Sequence, residues 1–471
     1  MNTKEGAAAV TGWNVPRIVM GAPHGHSGKT TISLGLIGAL RQMGKAVQPF
    51  KKGPDYIDPS WLGYAAGRVC RNLDCYWLSD DQIRSSLQRG ASGADFAVIE
   101  GAMGLFDGVD LAGTGSTAQL ARETKSPVIL VVDGTRMTRS VAPLILGFMN
   151  FEPDIRIAGV ILNQVARPRH EGMLRAAVQE YCGIPVLGAV PKNVYSLFPE
   201  RHLGLVPAAE HEKVEAAIAG NREIAVQYLD LEGIIRVGQT AGPLESQPAG
   251  PACSGRAVAR IGVVSDRAFT FYYPENIEAL AEAGAEIVYI DSMGDDALPE
   301  IDGLFIGGGF PEVFGAAISA NSTLRRAIRG AADGGLPIYA ECGGLMYLAR
   351  RIIWGGRTFE MCGVLPFDIL VEKKPQGHGY TLMRSLEGNP FFPAASLVKG
   401  HEFHHSRVIN AGGDLCYAYE VLRGHGVNGR RDGIIQKNTF ATYNHIHALA
   451  HPEWAKRFVA LAENYRRMRR G

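Results

Sequence analysis

The sequence has almost no net charge: 48 Lys and Arg stand against 47 Asp and Glu over 471 residues, a formal balance of +1. Without a field of one sign, nothing in the composition points to nucleic acid or a membrane surface as partner. Cysteine is sparse and scattered. The seven, at positions 70, 75, 182, 253, 342, 362 and 416, form no C-x-x-C pair. That pattern indicates neither a disulfide framework nor a zinc site, and it fits a reducing compartment. No apolar run reaches membrane-spanning length, and Met1 to Val10 has neither a basic flank nor a long apolar core. A cytoplasmic protein is expected. What remains is ordinary for a globular chain, 46% hydrophobic and 20% charged, long enough for two or three domains that each bury a core.

In the N-terminal half an apolar strand, Arg17 to Met20, runs into Gly21-Ala-Pro-His-Gly-His-Ser-Gly-Lys-Thr-Thr31 and then a periodic helix, Ile32 to Met43. Strand, glycine-bearing loop and helix are the layout of a phosphate-binding loop, whose backbone N–H groups wrap phosphates. Gly28, Lys29, Thr30 and Thr31 are the nucleotide-binding candidates, with Lys29 on the outer phosphates and Thr30 on magnesium. Pro23 stands where the usual pattern has its first glycine, so Gly21 and Gly25 must make the turn. Four carboxylates follow at strand ends or in Gly/Pro-bounded loops: Asp55, Asp58, Glu100 and Asp107. Parallel strands deliver ligands at their carboxyl ends, which places Glu100 beside the loop as a magnesium ligand. Singly, each is equally a turn aspartate or a solvated glutamate. Further short apolar strands, 127–133, 157–163 and 184–191, alternate with helical stretches and indicate a doubly wound, mostly parallel α/β sheet. Asn163, at one strand end, suits either contact with a nucleotide base or a helix cap.

Residues 238–257 are rich in Gly, Pro, Ser, Thr and Ala and are expected to be a linker between domains 1–237 and 258–471. In the second domain the run Leu336 to Ala340 leads into Glu341-Cys342-Gly343-Gly344, after which helical spacing resumes. Strand, sharp turn and helix lift the side chain at the tip, and the helix start favours a thiolate there. Cys342 is therefore a candidate nucleophile. Its alternative is a buried inert thiol, against which the two following glycines weigh. Gly308, in Gly307-Gly-Gly-Phe-Pro-Glu312, and Gly344 are candidates for the oxyanion hole. Histidines crowd into Lys399 to Arg407 and Phe440 to His447. Their spacing matches no zinc helix or finger, so a general base for Cys342 is the more economical role. His445 and His447, two apart on one strand end, project to the same face.

These motifs resemble, over nearly the whole chain, the cobyrinate a,c-diamide synthase family. Gly-Lys-Thr, Gly53-Pro-Asp-Tyr-Ile-Asp58, Glu100-Gly-Ala-Met-Gly-Leu-Phe-Asp-Gly108, Pro199-Glu-Arg-His-Leu-Gly-Leu-Val-Pro207, Phe271-Tyr-Tyr-Pro-Glu-Asn276, Gly-Gly-Gly-Phe-Pro-Glu, Glu-Cys-Gly-Gly-Leu and Gly400-His-Glu-Phe-His404 carry the resemblance. It implies an ATP-dependent amide-forming domain, related to dethiobiotin synthetase, joined to a class I glutamine amidotransferase domain. The implied substrates are ATP with Mg2+, L-glutamine and a tetrapyrrole polycarboxylate amidated on its a and c acetates, and the resemblance leaves room for a homodimer. It makes Cys342 the glutaminase nucleophile and His445 its base, and assigns Asp55, Tyr56, Asp58, Glu100 and Asp107 to the synthetase site. Relatives that amidate sirohaem or sirohydrochlorin, with or without nickel, share the same motifs. His447 stands where many class I amidotransferases carry a glutamate, and it is the expected orienting partner of His445.

Overall fold

Arg17–Gly21, Val47–Lys52 and Phe96–Glu100 are buried along their whole lengths, as strands of a parallel sheet covered on both faces must be. In the computed structural model, residues 12–192, 194, 200–201, 204–205, 214–246 and 257–470 are described. The chain divides into two compact units, Met1–Ala249 and Gly250–Gly471.

The first unit is built on a seven-stranded parallel sheet. Its spatial order is Arg71–Leu73, Val47–Lys52, Phe96–Glu100, Arg17–Gly21, Val128–Asp133, Ile157–Val165 and Val186–Pro191. The chain's first strand of this sheet sits near the middle, with later strands added on both sides. The loops after Gly21 and after Glu100 therefore emerge side by side, at the kind of crevice where open α/β sheets bind ligands. Helix Lys29–Gln42 follows the first of these loops and is buried on most of its surface. At Gly35 an added Cβ would lie 2.4 Å from the carbonyl of Asn221, so glycine lets helix Val214–Tyr228 approach this closely. The stretch expected as linker begins inside this unit. Residues 238–239 end helix Leu231–Gln239, and Leu244–Glu245 pairs with Gly12–Trp13. Buried Arg17 ties the segment down by donating to the carbonyls of Gly242, Thr124 and Val15. Residues 247–256 lie outside the described residues.

The second unit has a nine-stranded sheet. Five parallel strands come first, in the order Ala285–Ile290, Ala259–Val264, Gly303–Ile306, Ile338–Glu341 and Thr439–Thr442. Four antiparallel ones extend it: Arg431–Gln436, Cys416–Arg423, Gly377–Ser385 and Leu397–His404. Beneath the join, Tyr339 stacks on Phe440 with ring centroids 5.3 Å apart and planes 7° apart, and Trp454 from helix Glu453–Arg470 meets it edge-on. A smaller sheet contains Arg357–Glu360, Arg351–Trp354, Asp368–Val371 and Ser406–Ile409. Among the described residues no helix is long and apolar enough to cross a membrane.

Candidate active sites

The loop expected to bind phosphate ends at Gly28, whose φ of 91° lies in the left-handed region. A Cβ there would also sit 2.2 Å from Asn163 Nδ2. That amide donates to the Ser27 carbonyl at 3.0 Å, so Asn163 braces the loop. The Lys29 ammonium folds back across it, donating to the carbonyls of Met103 at 2.7 Å and His24 at 3.5 Å. Burial, with Lys51 second, lowers its pKa to about 8. Thr31 is half-buried one position on. Thr30 donates to Glu100 Oε1 at 2.9 Å and Asp58 Oδ2 at 3.4 Å.

Lys51, on the strand beside Glu100, closes this cluster. Its ammonium lies 2.5 Å from Asp58, 2.7 Å from Glu100 and 3.5 Å from Asp55. Burial alone would favour the neutral amine, but Asp58, Glu100 and Asp55 outweigh it and hold Lys51 charged well above the usual lysine range. The carboxylates divide. Burial, and then the charge of Asp58, raises Asp55 to about 7. At Asp58 burial works the same way, but Lys51 overrides it and keeps the group ionised below its ordinary value. Burial raises Glu100, and its Oε2 is buried without a hydrogen-bond partner. Asp55 also caps the turn into helix Ile57–Ala66 by accepting from the N–H groups of Ile57 and Asp58. Tyr56 lies half-buried between them. Asp107 is exposed and accepts from the Gly104 N–H at 2.8 Å, stiffening the loop beside Lys29.

In the second unit, strand Ile338–Glu341 turns at Cys342 into helix Gly343–Leu348. Cys342 has φ 49° and ψ −100°, a strained conformation for a residue with a Cβ. Its N–H is held by the Thr442 carbonyl at 2.7 Å, and its sulfur lies 3.9 Å from the Phe403 carbonyl. The two glycine runs of the sequence meet here. A Cβ at Gly344 would be 2.3 Å from the Ile306 carbonyl oxygen, and one at Gly343 would be 2.9 Å from the Gly309 nitrogen. A Cβ at Gly308 would be 2.6 Å from His445 Cε1. Cys342 and Gly344, Gly308, and His445 are thus brought together from three separate segments. The thiolate expected from the helix start is not found. The helix has only six residues, and burial, followed by the Glu312 carboxylate, holds the thiol proton well above the usual cysteine range, with the Gly343 N–H opposing.

The expected partner of His445 also changes. Its Nδ1 lies 3.2 Å from Glu341 Oε2, both side chains being almost fully buried. Donation from Nδ1 to that carboxylate leaves Nε2 as the basic nitrogen. His447 faces Glu275 instead, at 3.5 Å. Residues two apart do share a strand face, but the regular strand ends at Thr442, and beyond it that periodicity no longer holds.

Known proteins resemble the chain along nearly its whole length. Residues 18–205 match the CobQ/CobB/MinD/ParA nucleotide binding domain, and residues 260–453 match the CobB/CobQ-like glutamine amidotransferase domain. The cobyrinate a,c-diamide synthase of Magnetococcus marinus is 45% identical, covering 94% of this chain and 96% of its own. The chain belongs to the cobyrinate a,c-diamide synthase family. The enzymes of that name from Methanosarcina acetivorans and Archaeoglobus fulgidus are 41% and 40% identical, covering 97% and 95% of this chain and 97% and 98% of their own.

Within this family frame, two residues of the sites escaped the sequence reading. Lys51 stood in plain view before Gly53-Pro-Asp, but its partners come from a neighbouring strand and a following helix. Glu341 adjoins Cys342, and alternation along a strand would have sent it to the opposite face. The family segment Pro199–Pro207 falls largely outside the described residues.

Proposed function

We propose that this chain amidates the a and c acetate carboxylates of cobyrinate, using ATP to activate each carboxylate and glutamine as the source of nitrogen. The observation that carries the reading is the presence, in one chain, of a phosphate cradle with Lys29 poised over it and a Cys342–His445–Glu341 constellation.

A carboxylate cannot accept ammonia directly, because oxide would have to leave. Transfer of the terminal phosphoryl group of ATP gives an acyl phosphate, from which ammonia displaces inorganic phosphate. Lys29 exchanges the Met103 carbonyl for a phosphate oxygen and offsets charge in transit. Thr30, Asp58 and Glu100, whose Oε2 is buried and unpartnered, offer the hard oxygen donors that suit Mg2+. When bound there, Mg2+ would neutralise phosphate charge. In the other unit, His445 Nε2 takes the thiol proton as Cys342 attacks the side-chain amide of glutamine, and Gly308 and Gly344 provide backbone donors for the oxyanion. The proton passes to the leaving ammonia. Water then cleaves the thioester to glutamate, regenerating the thiol. Glu341 keeps His445 in the required tautomer throughout.

The purified chain, given ATP, Mg2+, glutamine labelled with 15N at the amide and, in separate reactions, cobyrinate or sirohydrochlorin, should place two labelled amides on each cobyrinate. Labelling of sirohydrochlorin but not cobyrinate would move the substrate. Absence of labelled amide on either would overturn the reading.

A further inference from the structure

One face of His445 is covered by a second imidazole. The His401 ring lies with its centroid 4.8 Å away and its plane tilted by 20°, and both residues are buried. Their backbones are locked together: His401 N–H donates to the His445 carbonyl at 3.1 Å, and His445 N–H donates back at 2.8 Å. Gly400 permits this approach. A Cβ there would lie 2.4 Å from the His445 carbonyl oxygen and 2.3 Å from Asn444 Oδ1. The overlap of the rings is therefore imposed by the main chain.

His401 is itself held from behind. Its Nδ1 lies 3.5 Å from the Tyr273 hydroxyl, and the Tyr273 ring stands 4.8 Å from that of His447, which faces Glu275. Asn276, on the same segment as Tyr273, grips the chain just past His445, donating to the Ile446 carbonyl at 2.9 Å and accepting from Ala448 N–H at 2.7 Å. Burial keeps the His401 ring neutral, well below the usual histidine range, with His445, His378 and His447 adding to the effect. A neutral ring does not compete for Glu341, which lies at the Nδ1 edge of His445.

We propose that His401 is a positioning residue of the glutaminase centre: its ring is the plate that, together with Glu341 at the edge, fixes the plane in which His445 Nε2 meets the Cys342 thiol. This rests on the glutaminase reading of Cys342 and His445.

The test compares His401→Ala with His401→Phe in the full chain, with glutamine and with added ammonium. His401→Ala should lower kcat for glutamine hydrolysis roughly tenfold to a hundredfold, the range for loss of a group that orients a working histidine, with KM for glutamine unchanged. His401→Phe restores a flat ring without imidazole chemistry and should recover most of the rate. Ammonium-dependent amidation should be the same in both. A phenylalanine variant as slow as the alanine variant would overturn the plate, as would a raised KM with kcat intact or a parallel fall with ammonium. Cys342→Ala, assayed alongside, isolates the underlying reading: if it still uses glutamine, the glutaminase assignment fails whatever His401 does.

Discussion

Around Lys51 the first unit gathers three carboxylates within 3.5 Å of one ammonium; around Cys342 the second gathers imidazoles, a protonated thiol and glycine backbone. The first centre is a set of charges balanced against one another, with Lys29 resting on the Met103 carbonyl, the contact that the proposed phosphate would replace. The second is largely uncharged in its moving parts, and the Glu341 carboxylate at its edge already faces His445. Binding to the first must rearrange ion pairs; binding to the second need only admit an amide. The difference suits their chemistry, since phosphoryl transfer handles several negative charges at once whereas thiol attack on a neutral amide moves one proton.

Substitutions can break this contrast, from the most to the least severe. Cys342→Ala should abolish glutamine-dependent amidation while leaving ammonium-dependent amidation intact; product analysis with each nitrogen source decides it. Lys29→Ala should slow amidation with both sources by about 10²–10³-fold, as expected for one preorganised charge. Unchanged ATP consumption would separate Lys29 from the chemistry. Lys51→Met leaves buried carboxylates without their counter-ion and should destabilise the first unit by about 3–5 kcal/mol, seen as an earlier unfolding transition in urea. Glu341→Gln should cost glutamine hydrolysis about 10–100-fold, and His447→Ala less; the reverse order would return the orienting role to His447.

The smallest effect concerns Asp55 and depends on pH. Its folded-state value is raised to about 7 by burial first and Asp58 second, so the folded unit binds this proton more tightly than the unfolded chain does. The stability it contributes is full below about pH 4 and is lost as the pH rises through about 7. Asp58, shifted downward, has the opposite slope: its contribution is present above its ordinary value and lost as the pH falls. Asp55→Asn should therefore raise the melting midpoint by a few degrees at pH 8 and leave it unchanged near pH 4. An equal gain at both would show that packing, not charge, is responsible.

The parallel strands were legible because burial on both faces makes each a continuous apolar run, as in Val128–Asp133. The Gly-Lys-Thr loop and the Cys342 turn were legible because glycine is required where backbone or side chain must pass close. Composition misled between 238 and 245, where Gly, Thr and Pro belong to a helix end and a short pairing with Gly12–Trp13 rather than to a linker. The orientation of Glu341 was hidden for a subtler reason. The positive φ of Cys342 breaks the strand alternation just after Glu341, whose carboxylate meets His445, and no residue pattern announces a positive φ at a cysteine.

That backbone angle carries a consequence for how the protein would change under selection. A residue held at φ 49° and ψ −100° costs on the order of 1–3 kcal/mol when it bears a Cβ, and glycine is free of most of that cost. A library randomised at position 342 and screened only for heat resistance should enrich glycine, giving a sturdier domain that no longer hydrolyses glutamine. Screening the same library where ammonium is scarce should hold the position at cysteine, at a lower melting temperature.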